Sequence, residues 1–284
     1  MNIIKFLDEF TSDNLINTAS SRRDMFGTFG NMGKKAAIAA IPFGLGALSS
    51  KAKAATTASM FFDHEAPLQL ALTLEYLEAE FYLKALDSGV IARAGGANAM
   101  KAEAIYAQIS KHESAHVSFL QDTLGEDSIE SPTFDFTAGG TFDPFNENGI
   151  GDDMAYAQLL ALAQAFEDTG VRAYKGQAGN LMGLAEGAYL TAALQIHSVE
   201  ARHASEIRRL RGLDGWITAN ERGAGIPAEA QAVYDGEENT THGGVDVTTL
   251  GSGSPFSMEA STQAYDEPMS GDTATAIASL FIAS

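Results

Sequence analysis

Glu113-Ser114-Ala115-His116 and, further along the chain, Glu200-Ala201-Arg202-His203 share one spacing, Glu-x-x-His. With 20 Glu and six His scattered at random over 284 residues, roughly 0.4 such pairs are expected, so two are suggestive but not decisive as a motif. Their surroundings carry more weight. Each pair interrupts an apolar stripe of helical period: Ile105, Ile109, Glu113, His116, Val117 and Leu120 in one, and Ala193, Ile196, Glu200, His203, Ala204 and Ile207 in the other. Residues three apart on a helix point the same way, so each pair offers a carboxylate oxygen and an imidazole nitrogen to one point in space.

Working outward, the periodicity predicts four long helices, over about 65–87, 98–124, 152–176 and 184–211. The first has an inner stripe of Leu68, Leu72, Glu75, Ala79, Tyr82 and Leu86, with Glu80 and Lys84 as an i,i+4 pair on the solvent side. The third begins at Asp152 or Asp153 as N-cap and turns Leu160, Ala163, Glu167, Val171 and Tyr174 inward. Gly89, Gly95 and Gly96 lie in a short link between the first two helices, which makes them an antiparallel hairpin. Residues 125–151 form a polar connector with Phe134, Phe136, Phe142 and Phe145 as anchors. A structureless loop of 27 residues counts against most folds, but a helical bundle with one long crossover requires it. The predicted class is all-α: a four-helix bundle of two hairpins and one crossover, over 55–212. Residues 213–284 then read as an irregular extension, packed on the bundle or partly disordered, with Trp216 and Phe256 as anchors and a short helix over 273–282.

In this arrangement Glu75, Glu113, Glu167 and Glu200 all face the bundle interior. Ionised carboxylates in an apolar core are costly unless paired or metal-bound, and two divalent cations neutralise four glutamates. The expected site is therefore dinuclear, with Glu75, Glu113, His116, Glu167, Glu200 and His203 as metal ligands. Glu78, one turn from Glu75, is an alternative to it, and His112 and His197 flank the motifs as supporting or surface groups. Tyr82 is the candidate catalytic side chain, able to donate a hydrogen bond or an electron near the metals, although a buried tyrosine is more often core. Asn146-Glu147-Asn148-Gly149 and Asp152 have part of a calcium loop, but the spacing fails and turn chemistry accounts for them.

Composition narrows the chemistry. The formal charge is -19, and without residues 1–54 there remain 11 Lys/Arg against 33 Asp/Glu. Such a surface repels phosphate backbones, so nucleic acid is not an expected partner, and it draws cations in. With no cysteine, disulfides, thiolate sites and iron–sulfur clusters are excluded, leaving His and carboxylate to hold a hard or borderline metal. At the N-terminus, Ser21-Arg22-Arg23-Asp24-Met25-Phe26 precedes Lys34-Lys35, an apolar stretch over 36–48 and the small-residue site Ala52-Lys53-Ala54. This order predicts a twin-arginine-like export signal over 1–54, cleaved near Ala54, and a periplasmic or extracellular mature protein; a general secretory signal is the alternative. The apolar stretch is well short of the roughly 20 residues that span a bilayer, so no permanent membrane anchor is expected.

With these residues in place, the chain resembles the bacterial ferritin-like domain family that includes desiccation-related proteins, and more distantly ferritin and bacterioferritin. Leu74-Glu75-Tyr76-Leu77-Glu78-Ala79-Glu80-Phe81-Tyr82 is similar to the family's first helix. Phe166-Glu167-Asp168-Thr169-Gly170-Val171 is similar to the third, and Ala264-Tyr265-Asp266-Glu267-Pro268 to the tail. The resemblance implies a ferritin-like bundle with Glu113 and Glu200 bridging two iron or manganese ions, Glu75 and Glu167 as terminal ligands, and one histidine on each ion. It implies an oxidoreductase consuming dioxygen or peroxide, or a protein that stores metal or uses it for structure. Manganese-catalase-like chemistry is a further variant that the symmetric motif pair fits less well. A homo-oligomer is left open.

Overall fold

A computed structural model describes residues 65–251 and 256–283; the predicted export signal and its cleavage site lie outside them. Four long helices build the domain: α1 (Glu65–Ser88), α3 (Ala99–Leu124), α4 (Asp152–Gln177) and α5 (Ala188–Leu210). The helix α1 packs along α3, α4 along α5, and the two hairpins meet chiefly through α1 and α4. The Glu80–Lys84 ion pair forms on the outside of α1 at 3.0 Å.

The helix ends differ from expectation in instructive ways. A one-turn helix, α2 (Val90–Ala94), occupies the first link, because Val90 and Ile91 are apolar enough to be drawn into the core. Asp152 does not cap α4. It is the first helical residue, after Gly151 at φ 96°, and its carboxylate instead accepts from Arg93 at 2.8 Å and Asn146 at 3.0 Å. The fourth helix starts four residues late, since Leu184–Gly187 forms a 3-10 turn in which Ala185 and Glu186 have positive φ.

The crossover is anchored as the sequence suggested, with Phe134, Phe136 and Phe145 buried and Phe142 partly so. Phe81 of α1 gathers Phe136, Phe145 and Phe166 around it at ring-centroid distances of 5.4, 5.8 and 5.1 Å. The end of the described chain ties to the same region: Asp135 N–H donates to the Phe281 carbonyl at 2.7 Å and Ala283 N–H to Thr133 at 2.8 Å. Asp143 accepts backbone N–H bonds from Glu147 and Asn148, which is turn chemistry.

Residues 213–251 and 256–283 form an extension that includes helices α6 (Met258–Thr262) and α7 (Gly271–Ser279) and a hairpin of β1 (Thr241–His242) with β2 (Val245–Asp246); its Ala228–Val233 turn packs on the outer side of α4, and α7 packs on both α1 and α4. The hairpin turns at Gly243-Gly244, both with positive φ, as a tight two-residue turn demands. Trp216 and Phe256 are not the anchors: they are 47% and 58% exposed. Ile217, Ile226, Val233, Tyr234, Met269 and Ile277 form the contact instead, against Leu74, Ala161 and Ala173.

Because of this cover, α4 is buried on every side from Leu159 to Tyr174. Gln164, Asp168 and Arg172 recur every four residues on its outer face and would be buried polar groups without partners. The extension supplies them: Gln164 donates to Tyr234 Oη at 3.0 Å, Tyr234 donates to Asp168 at 2.9 Å, and Arg172 pairs with Glu237 at 2.7 Å. Asp168 also pairs with Arg208 of α5. Gly176 is required by the same contact, since a Cβ there would stand 1.8 Å from the Met269 carbonyl oxygen.

Candidate metal centre

Midway along the bundle, each of the four long helices contributes a fully buried glutamate: Glu75 from α1, Glu113 from α3, Glu167 from α4 and Glu200 from α5. Each sits at the centre of its apolar stripe, so burying the stripe carries the carboxylate in with it. His116 and His203 follow one turn after Glu113 and Glu200, on the same faces.

The atoms fall into two groups. One is Glu75, Glu113, His116 and Glu200; the other is Glu113, Glu167, Glu200 and His203. Within each, one ligand atom per residue lies within 4.8 Å of every other. Glu113 and Glu200 belong to both. Glu113 turns Oε2 to His116 Nδ1 at 3.1 Å and Oε1 to His203 Nδ1 at 2.8 Å. Glu200 turns Oε1 to His116 at 3.2 Å and Oε2 toward His203 at 4.0 Å. Each shared carboxylate thus offers one oxygen to each histidine.

The outer carboxylates repeat the symmetry. Glu75 Oε2 faces His116 at 3.2 Å, and its Oε1 accepts from the Tyr174 hydroxyl at 2.5 Å. Glu167 Oε2 faces His203 at 3.2 Å, and its Oε1 accepts from Tyr82 at 2.5 Å. Each tyrosine lies seven residues after one terminal glutamate and bonds the other. Tyr82 therefore has a twin, and Tyr174 is the residue that the sequence reading placed inward without giving it a role. Its signal in the sequence is the seven-residue spacing that Glu75–Tyr82 and Glu167–Tyr174 share.

The electrostatics are those of a cation site. Burial, and then the charge of Glu200, pushes Glu75 well above the ordinary carboxylate range; burial and Glu113 do the same to Glu200. Burial also raises Glu167. Glu113 is the exception: burial acts to raise it, but the His116 and His203 imidazoles beside it hold it down to about 2. Burial acts to lower both histidines, yet the surrounding carboxylates lift His116 to about 12 and His203 to about 11.

Hydrogen bonding does not satisfy this cluster. Glu113 Oε1, Glu167 Oε2, both Glu200 oxygens and His203 Nδ1 are buried with no hydrogen-bond partner among the described residues, although several are within ion-pair distance of one another. Their lone pairs converge without an N–H or O–H aligned to them. That is the chemistry of a donor set for metal ions, and these residues fit such ions.

Other candidates are placed as follows. Glu78 is also buried, with burial and Glu200 pushing it well up, but it stands outside both groups, so Glu75 and not Glu78 faces His116. His112 Nδ1 contacts His203 Nε2 at 2.8 Å, and His197 Nδ1 contacts the Val171 carbonyl at 3.0 Å. No helix among the described residues is long and apolar enough to cross a membrane.

Comparison with known proteins agrees with this geometry at the level of the family. No curated protein sequence and no solved structure matches the chain. Residues 64–213 match the family described as ferritin-like domain, an interval that holds all four long helices up to Leu213 and every residue of the cluster. Over half of the chain is covered by that match, and the chain belongs to the ferritin-like domain family.

Proposed function

We propose that the chain is an exported di-metal carboxylate protein that binds two iron or manganese ions and oxidises metal or consumes dioxygen or peroxide in stress defence. The observation that carries the reading is the pair of carboxylates, Glu113 and Glu200, that each offer one oxygen to each histidine. Glu75, Glu113, His116 and Glu200 would hold one ion, and Glu113, Glu167, Glu200 and His203 the other. Such ions supply one-electron chemistry between divalent and trivalent states and open positions for a small oxidant.

The protein's own residues do the rest. Tyr174 and Tyr82 hold the outer oxygens of Glu75 and Glu167, so each terminal carboxylate keeps its inner oxygen toward a histidine. Tyr82, the catalytic candidate, shares with Tyr174 the capacity to hold a proton beside a ligand carboxylate. Leu72, Phe81, Tyr106 and Phe166 are fully or almost fully buried in the surrounding core and exclude water.

A storage role has support from the net charge of -19, which concentrates cations near the surface. Elemental analysis of protein purified from its native compartment separates the readings: about two ions per chain with uptake of dioxygen or peroxide supports the oxidoreductase, many ions per chain supports storage, and no iron or manganese refutes both. Export is part of the proposal. Mass spectrometry should find a mature N-terminus near Ala55, and replacing Arg22 and Arg23 by Lys should block export if the twin-arginine route is used.

A further inference from the structure

The two halves of the centre are related by a pseudo-twofold, and it is broken at two places. The first is behind the histidines. His203 turns Nδ1 into the cluster and Nε2 outward, where it meets His112 Nδ1 at 2.8 Å with the rings stacked at 5.1 Å and 11°. His112 Nε2 in turn meets the side-chain amide nitrogen of Gln108 at 2.7 Å, at the solvent edge of α3. His112 immediately precedes Glu113; the equivalent position before Glu200 is Val199, which can neither donate nor accept. Among the described residues His116 Nε2 has no such partner, and its side chain is 12% exposed against 5% for His203.

The second break is Glu78. It lies three residues after Glu75, whereas the residue three after Glu167 is Gly170. A Cβ on Gly170 would stand 3.3 Å from Glu78 Oε1 and 3.2 Å from Glu200 Oε2, so the glycine leaves the room that the Glu78 carboxylate uses. Glu200 Oε2 is the oxygen turned toward His203. The fifth carboxylate therefore stands on the same side as the supported histidine.

A metal on Nδ1 of His203 leaves the ring's proton on Nε2. His112 must then accept at Nδ1 and carry its own proton at Nε2, and the Gln108 amide, which places its Nε2 against this ring nitrogen, turns by 180° to accept that proton at its oxygen. One tautomer of each ring satisfies the whole chain, and it holds the His203 lone pair on the metal position. Resting on the di-metal reading above, we propose that His112, held by Gln108, is the positioning residue for His203, and that with Glu78 it makes the His203 position the first of the two to fill. The His116 position, more open and without a ring partner behind its histidine, fills second.

Titration of the metal-free protein with Co(II), followed by calorimetry and by the visible absorption of bound cobalt, tests this. The wild type should bind in two steps at least tenfold apart. His112→Ala should weaken the first step by about 10–100-fold, the usual effect of removing a hydrogen-bond partner from a ligand histidine, and leave the second within about threefold. His112→Asn keeps an acceptor oxygen and should recover most of the loss. Glu78→Gln should also weaken the first step more than the second. In the Zn(II)-loaded protein, long-range nitrogen NMR should show His112 protonated at Nε2. If His112→Ala leaves both steps unchanged, lowers them equally, or is not rescued by Asn, the positioning role is overturned while the metal centre stands. If the wild type binds no cobalt, the di-metal reading fails and this inference with it.

Discussion

Glu200→Gln is the most direct probe of the centre, because it removes one shared carboxylate charge at almost constant shape. In the metal-free bundle Glu200 is fully buried and held well above its ordinary range, so between the unfolded value and the folded one the fold keeps a proton there that the unfolded chain releases. A group whose folded pKa is raised contributes stability below the unfolded value, 4.5, and loses it as pH rises toward the folded one, at up to about 1.4 kcal/mol per pH unit. Gln has no proton to lose. At pH 4.5 the metal-free wild type and variant should therefore melt together, and at pH 7.5 the variant should melt higher by several degrees, since 1 kcal/mol moves Tm by about 2–4 °C in a domain of this size. With Mn(II) the order reverses. Each ion at one hundred times its dissociation constant adds about 2.7 kcal/mol to the wild type. Glu200 belongs to both ligand groups, so on the two-ion reading the variant should lose most of both increments. Paired melts at the two pH values, with and without Mn(II), make the comparison. Equal metal-induced shifts in the two proteins would refute Glu200 as a ligand and the dinuclear site with it.

The pH dependence should extend to the whole cluster. Glu75, Glu78, Glu167, Glu200, His116 and His203 are all raised and only Glu113 is lowered, so metal-free Tm should fall steadily from pH 5 to pH 9, while metal affinity rises over the same range and binding releases protons measurable by calorimetry in two buffers; a flat metal-free profile would contradict the protonated cluster. Tyr82→Phe and Tyr174→Phe each remove a buried hydrogen bond to a carboxylate, with an expected loss of about 1.5–3 kcal/mol of metal-bound stability each, and similar losses in the two are the mark of the pseudo-twofold. Gly176→Ala should cost about 1–3 kcal/mol and speed proteolysis of the extension while leaving the Co(II) stoichiometry at two, because Met269 must move and the cluster need not; unchanged proteolysis would show that the extension does not depend on this contact.

The four-helix pattern was legible because burial of an amphipathic helix writes a 3.6-residue period into the sequence, and four such stripes with one long connector leave few ways to pack. The carboxylates were legible for the same reason: Glu75, Glu113, Glu167 and Glu200 break apolar stripes at positions that must be buried whatever the details of packing. Glu75 was separable from Glu78 by its apolar neighbours, but the sequence could not show that Glu78 is buried as well, because that depends on Gly170 of another helix leaving space for it.

What tertiary structure alone decided lies off the periodic faces. The stripe of Gln164, Asp168 and Arg172 reads as a solvent face by period, and becomes interior only when Tyr234, Arg208 and Glu237 arrive to pair with it. Trp216 and Phe256 looked like anchors by size, yet burial of the extension follows from shape against α4, which no local pattern encodes. The tyrosine exchange, Tyr82 to Glu167 and Tyr174 to Glu75, and the contact of His112 with His203 join residues far apart in the chain. Local sequence determines which residues turn inward, because that is a property of one helix. Which inward residues meet depends on how two helices are set against each other, and that is a property of the packed bundle alone.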